Sequence, residues 1–416
     1  MPDSHVIAIV GGASAGSTAA EILAQAGMKV VVFEQNPKPY GKIEDGLPRW
    51  HKIQRQKEYE KIKNRLRHEN ITYVPNTRLG QDIGFNELTD EWGFSAVLLG
   101  TGAWADRPVG VEGIDDYVDK GLIYQNPFIY WFNHKNEKEY KGPWYEVPDD
   151  TAVLGGGLAS VDVVKAVQCE TYERALKAKG IECDMYELEH HGITGFCEDK
   201  GIDPAELGVV DCTLYYRRRM VDMPLATPKD RSEEAELKAQ AVRQKILTNA
   251  MEKFRFKYKE RSLTKEFIVE DDRLVGLIMR ETRVEGRKAI PLEGTEFEVR
   301  HPLFISSIGS IPEPLPEIEM NGAYYKFSDW DLGIYEPKPN VFGIGNTVTG
   351  QGNIRLSVNH GRDVANHIVE QYKEKAPLPE AEVEAVMARV KARQEAIGYD
   401  GDFDGWIEAN TPPDLE

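Results

Sequence analysis

Cysteine is scarce in this chain of 416 residues. The four present, Cys169, Cys183, Cys197 and Cys212, are widely spaced, and no two form a CxxC pair. That spacing argues against a disulfide framework and against a zinc or iron–sulfur site built from this chain alone. Reduced thiols in a cytoplasmic protein and no metal site are the expectation. Long apolar runs are also missing, and none approaches the roughly 20 residues that cross a bilayer, so no membrane span is expected. The first residues, MPDSHVIAIVGG, lead straight into a strand without a charged leader and cleavage site, so no signal peptide is expected. Positive charge is short too. Lysine and arginine number 51 against 69 acidic residues, a net charge of -18. General nucleic-acid binding, which needs a basic footprint, is therefore excluded. What remains is a chain with 41% hydrophobic residues and a length that fits two ordinary domains.

Val6 to Val10, VIAIV, is too short for helical periodicity and reads as a buried parallel strand. Next come GGASAG (Gly11 to Gly16), an alanine-rich stretch ending at Gly27, and a second strand, MKVVVFE, ending in Glu34. This order of strand, glycine turn, helix, strand and acid predicts a dinucleotide site. Gly11 permits the turn, and Gly16 lets the helix approach the strands. Ala13, Ser14 and Ala15 lie where a pyrophosphate would meet the helix N-terminus. Glu34, 23 residues after Gly11 and followed by Gln35, is placed to accept hydrogen bonds from ribose hydroxyls. Ala13 stands where GxGxxG has its middle glycine, and its methyl crowds the pyrophosphate approach. A tight turn in an unliganded α/β domain would account for the glycines alone.

The pattern returns in TAVLGGGLASVDVVKAV. A strand leads to Gly155, Gly156 and Gly157, then to a helix opening with Leu158 and Ala159, with Ser160 in place of the last glycine. Residues 169–211 read as an insertion carrying its own helix, TYERALKAKG, and a glycine-rich loop. The strand CTLYY then ends in Arg217, Arg218 and Arg219 and not in an acid. A carboxylate there would select the 2′-hydroxyl of NAD, whereas arginines can hold the 2′-phosphate of NADP, so the reading leans to NADP. A solvated basic strand end, or arginines on the adenine or pyrophosphate of NAD, are the alternatives.

Two such units, the second nested in the first, are the plan of two-dinucleotide flavoprotein reductases. YYRRRMVDMP resembles the arginine–methionine–proline stretch of the glutamate synthase small subunit and its relatives, with adrenodoxin reductase a more distant likeness. GKIEDGLPRWHK, with Gly41, Gly46 and Leu47, is similar to that group's flavin loop. LLGTGA, with Thr101 and Gly102, resembles the strand end covering the flavin, and FISSIGSIPEP, with Gly309, the strand returning to the FAD domain. NVFGIGN, ending in Gly345 and Asn346, resembles the strand whose last residue meets the ribityl–phosphate region. The helix after it, near Gly352, Asn353 and Ile354, would start at the flavin pyrimidine edge. Asn346 stands where the family has aspartate, which removes a charge near the flavin.

The resemblance implies an α/β fold with two Rossmann-like domains, the NAD(P) domain inserted in a discontinuous FAD domain. It places the FAD domain at 1–120 and 311–372, an aromatic-rich linker at 121–147, and the NAD(P) domain at 148–310. A C-terminal helix and mobile acidic tail would occupy 373–416. Trp406 is a candidate partner anchor, and the basic run Trp50 to Arg67 a candidate surface for steering an acidic partner. The cofactors implied are FAD and NAD(P), with hydride passing between them and no dedicated catalytic acid or base. The partner implied is an Fe–S electron-transfer subunit or ferredoxin in a hetero-oligomer, such as an Fe–S/tungsten aldehyde oxidoreductase. A stand-alone flavin oxidase or monooxygenase and a non-catalytic assembly protein are the other classes.

Overall fold

The computed structural model describes residues 4–411. The chain divides into two units, one formed by residues up to Ala105 together with those from Ser310 on, the other by Asp106–Gly309. In chain order the first unit opens with β1 (Val6–Val10), α1 (Ser14–Gln25), β2 (Lys29–Phe33), α2 (Lys42–Asp45), α3 (Lys52–Leu66), β3 (Ile71–Val74) and β4 (Ala96–Leu99). The second contains β5 (Leu122–Tyr124), α4 (Gln125–His134), β6 (Ala152–Gly155), α5 (Leu158–Ala178), α6 (Met185–Lys200), β7 (Thr213–Tyr215) and α7 (Glu233–Phe254). It continues with β8 (Lys257–Lys259), β9 (Ser262–Glu270), β10 (Arg273–Glu285), β11 (Lys288–Arg300) and β12 (Phe304–Ser307). The first unit resumes with β13 (Phe327–Asp329), β14 (Ile334–Tyr335), β15 (Val341–Gly343), α8 (Asn346–Thr349), α9 (Ile354–Lys373), α10 (Glu380–Ala396) and α11 (Phe403–Ala409).

The first unit is built on a seven-stranded sheet in the order β13-β14-β15-β4-β1-β2-β3. The last five are parallel, and β13 and β14 add an antiparallel edge. Strand alternation sorts β1 between two cores. Ile7 and Ile9 join Leu23, Ile62, Val364 and Ile368 on one face. Val6, Ala8 and Val10 join Phe85, Val383, Val386 and Val390 on the other. Both faces are covered, as a parallel sheet requires.

The expected C-terminal helix is α10, but the expectation of a mobile acidic tail is corrected for residues 399–411. Val383, Val386 and Val390 form one buried stripe of α10 on the sheet. Tyr399 and Ile407 are buried in the opposite core, and Trp406 donates to the carbonyl of Pro37 at 2.9 Å. Trp406 therefore anchors within its own unit. The final five positions of the expected acidic tail lie outside the described residues.

The second unit carries a five-stranded parallel sheet in the order β5-β12-β6-β7-β8, and a separate antiparallel sheet, β9-β10-β11. The turn expected at Asp271-Asp272 closes the β9–β10 hairpin, both residues having positive φ. Residues 121–147 differ from the expected linker. They supply edge strand β5 and helix α4, whose Phe128, Ile129, Trp131 and Phe132 are buried. TYERALKA likewise starts no new helix. It is the second half of α5, which runs unbroken from Leu158 to Ala178, and the added helix is α6.

Candidate dinucleotide sites

Strand register gathers the first site. Val10 pairs with Phe33 and Leu99, Phe33 with Val74, and Leu99 with Gly343. All five strands are parallel, so the segments leaving them meet on one carboxyl edge, where open α/β sheets bind ligands. Those segments begin at Gly11, Glu34, Pro75, Gly100 and Ile344.

The turn after β1 is built without room for side chains. Gly11 has φ +98°, and a Cβ on it would lie 2.4 Å from the carbonyl oxygen of Gly100. A Cβ on Gly16 would lie 1.8 Å from the carbonyl oxygen of Gly11. Helix α1 then starts with Ser14, Ala15 and Gly16 buried and no side-chain cap. Its first N–H groups have no intrahelical acceptor, which leaves a cluster of donors inside the fold suited to a phosphate. The Ala13 methyl is accommodated by Gly41, where any Cβ would approach it to 3.1 Å.

Glu34 is buried at the end of β2. Its Oε2 accepts the N–H of Gly12 at 2.9 Å, and its Oε1 that of Asn36 at 3.1 Å. Burial pushes the carboxyl up to about 7, against the pull of the Gly12, Asn36 and Gln35 N–H groups. Gln35 lines a cavity of about 310 Å³ with Asn36, Arg78, Trp104, Ala105 and Glu313. Arg78 and Glu313 form a two-pronged ion pair there, both contacts at 2.9 Å. The donors of α1, the carboxylate and this cavity fit the pyrophosphate, ribose and adenine of a dinucleotide such as FAD.

Toward β15, Thr347 ties two expected flavin segments together. Its buried hydroxyl accepts the N–H of Gly102 at 2.8 Å and lies 3.3 Å from the Thr101 hydroxyl. Gly345, the N-cap of α8, donates to His360 Nδ1 at 3.2 Å. The Asn346 amide oxygen accepts the Gly352 N–H at 2.8 Å, so the residue standing for aspartate closes its own turn. Asn353 caps α9 through the N–H of Leu356, and Ile354 is the first helical residue. In the proposed flavin loop, Gly46 caps α2, and the Leu47 carbonyl accepts Arg55 Nη1 at 3.1 Å. Sequence reasoning missed Thr347, Arg78, Trp104 and Glu313. Only counting off every parallel strand end would have found Arg78 and Trp104.

The basic run is mostly used internally. Arg55 is buried, while Lys61, Arg65 and Arg67 pair with Glu58, Glu21 and Asp404, and Lys63 with Glu60. Lys52 and Lys57 are exposed beside Ile53, which is 85% exposed.

In the second unit, Leu154 pairs with Tyr215, and Gly155 with Ser307, so the glycine turn, the arginine segment and Ser307–Gly309 share one edge. Ser160 does more than replace a glycine. Its hydroxyl accepts the Gly157 N–H at 3.2 Å and donates to the Ser307 carbonyl at 2.8 Å. It thereby fastens the turn to β12, and a Cβ on Gly155 would lie 2.2 Å from that hydroxyl oxygen. Leu158 and Ala159 open α5 and are exposed. The arginines divide. Arg218 donates from Nε to the Tyr216 hydroxyl at 2.8 Å and from Nη2 to the Asp222 carbonyl at 2.9 Å. Arg219 pairs with Asp222, while Arg217 is exposed. The Gly309 carbonyl accepts the Arg107 N–H at 3.0 Å. Cys169, Cys183, Cys197 and Cys212 are all buried, and burial pushes each thiol up, Cys183 to about 11. Such thiols are poor nucleophiles. Among the described residues no helix is long and apolar enough to cross a membrane.

Two parallel sheets, each with a glycine turn and a helix start at its carboxyl edge, define an α/β protein with two dinucleotide-type folds. Residues 5–184 match the family described as pyridine nucleotide-disulphide oxidoreductase. The glutamate synthase [NADPH] small chain of Bacillus subtilis is 34% identical over 167 residues, 38% of this chain and 31% of that one. The mitochondrial NADPH:adrenodoxin oxidoreductase of Arabidopsis thaliana is 27% identical over 171 residues, 41% of this chain and 34% of that one. The chain spans about a third of the length of these curated relatives. Among solved structures, Mycobacterium tuberculosis FprA in complex with NADPH superposes with a TM-score of 0.69 at 15% identity, covering 94% of this chain and 91% of that one. That likeness carries the fold. The matches bear out the resemblance, read from the sequence, to FAD- and NAD(P)-dependent oxidoreductases.

Proposed function

We propose that the chain is a cytoplasmic electron-transfer subunit that moves hydride between NAD(P)H and FAD. Single electrons then pass between FAD and an Fe–S partner subunit or ferredoxin, within a hetero-oligomer. The observation that carries this reading is the pair of nucleotide sites, one of them with a buried, uncapped helix start over a glycine turn. Bound FAD supplies the exchange between two-electron and one-electron chemistry. The residues of the chain do the rest. The first turn of α1 receives the pyrophosphate. Glu34 takes the ribose hydroxyls, and the Thr101–Gly102 segment, held by Thr347, borders the flavin.

In the second unit the start of α5, with Gly157, Leu158 and Ala159, receives the nicotinamide nucleotide's pyrophosphate, and Arg217 meets the adenosine 2′-phosphate. Arg218 orients the strand end through Tyr216 and Asp222. The four buried thiols, none in a CxxC pair, support delivery of electrons directly from FAD and not through a cysteine couple. The small-chain relative supports a partner subunit.

The test is the visible spectrum of the purified protein, titrated without oxygen first with NADH and then with NADPH. Bleaching of a bound flavin is the expected result, with NADPH the more effective. A purified protein that takes up no flavin when FAD is supplied would overturn the reading.

A further inference from the structure

The two C-terminal helices hold, by polar bonds, two of the loops whose side chains line the cavity of the first unit. Trp406 Nε1, on α11, donates to the carbonyl of Pro37 at 2.9 Å. Pro37 directly follows the cavity residues Gln35 and Asn36. Arg393, on α10, donates from Nη2 to the carbonyl of Asn76 at 3.1 Å and from Nε to the Thr77 hydroxyl at 2.9 Å. These residues directly precede the cavity residue Arg78. Arg393 also pairs with Asp82 at 3.1 Å, and Asp82 accepts the Arg78 N–H at 2.8 Å. Gln394 donates to the Tyr73 carbonyl at 2.8 Å, and the Tyr73 ring stands edge-on to Phe403 at 5.1 Å. The far side of α11 is pinned by Arg67, which grips both oxygens of Asp404.

The buried valines of α10 would suffice to hold it on the sheet. They leave unexplained why its polar groups, and those of α11, converge on the carbonyls of Pro37, Tyr73 and Asn76 and the hydroxyl of Thr77. That segment includes Asn76, a non-glycine residue at φ +46° whose carbonyl Arg393 caps. Left-handed backbone at a loop tip needs such support.

We infer that α10 and α11 form a brace that sets the adenosine end of the first dinucleotide site, with Arg393 and Trp406 as positioning residues. The inference rests on the reading of that site as the FAD site. The ligand class is an adenosine 5′-diphosphate group, whether free or as half of FAD. The brace bonds named above end on residues 37, 73, 76, 77 and 82, away from the Gly102, Thr347 and Asn346 segment, so its influence is assigned to the adenosine half.

The experiment uses the full chain stripped of cofactor and titrated separately with FAD and with ADP, which carries the adenosine end alone. Trp406→Phe keeps the ring and removes the donor, and Arg393→Gln removes the fork. Each is expected to weaken ADP and FAD by the same factor, about five- to tenfold, the scale of one lost hydrogen bond. Arg393→Lys, which keeps one donor and the charge, is expected to recover part of the loss. Thr347→Val, at the flavin end, should weaken FAD and leave ADP unchanged. Unaltered ADP affinity in both brace variants, or loss of FAD affinity alone, would overturn the brace. Wild-type protein that binds FAD but not ADP would overturn it as well. Wild-type protein that binds neither would instead remove the FAD reading on which it stands.

Discussion

Glu34→Gln isolates one buried proton. The carboxyl rises from an ordinary 4.5 to about 7 because burial penalises its charge more than the Gly12 and Asn36 N–H groups favour it. That difference is worth about 3 kcal/mol of linkage. The sign follows from the raised value. The stabilising contribution is complete below pH 4.5, declines as the pH rises, and is gone above about pH 7. Glutamine does not titrate. The stability of the variant relative to wild type should therefore rise by about 3 kcal/mol between pH 4.5 and pH 8, measured by urea unfolding of cofactor-free protein. Ribose hydroxyls donate best to the ionised carboxylate. FAD affinity of the wild type should then climb about tenfold per pH unit up to about pH 7 and level off, while the variant stays flat. A pH-independent difference in stability would refute the burial argument. A flat wild-type FAD profile would refute the placing of Glu34 on the ribose.

Ser160→Ala strands the Gly157 N–H and frees the Ser307 carbonyl, and should cost about 1–3 kcal/mol by denaturant unfolding of the full chain. Arg217→Ala should raise the KM for NADPH at least tenfold with little change in melting temperature, since its side chain is exposed. Arg218→Ala should lower the melting temperature as well, because it removes bonds to Tyr216 and Asp222. Equal NADH and NADPH losses in Arg217→Ala would sink the 2′-phosphate assignment. Thr347→Val leaves the Gly102 N–H without its acceptor and should cost about 1–3 kcal/mol, read as a drop in melting temperature of the cofactor-free protein.

The amino-acid order by itself determined what depends on neighbours in the chain. Gly11 and Gly16 are five residues apart and touch, so their chemistry is readable from spacing. The same holds for Glu34 at a strand end and for the Asp271-Asp272 turn. Both nucleotide turns belong to this local class, and they made the fold class legible. Tertiary structure alone decided the partners that sheet order brings together. Thr347 reaches Gly102 because β15 lies beside β4, and Arg78 meets Glu313 from 235 residues away. Residues 121–147 look like an aromatic linker in isolation, yet β5 gains its hydrogen bonds from β12, some 180 residues later. The acidic C-terminus has a composition that favours mobility. Three valines on one face of α10, with Trp406 and Arg393 beyond them, fix it to the sheet and the loops. The free energy for that comes from apolar surface and carbonyl groups supplied by distant segments, which no local pattern encodes.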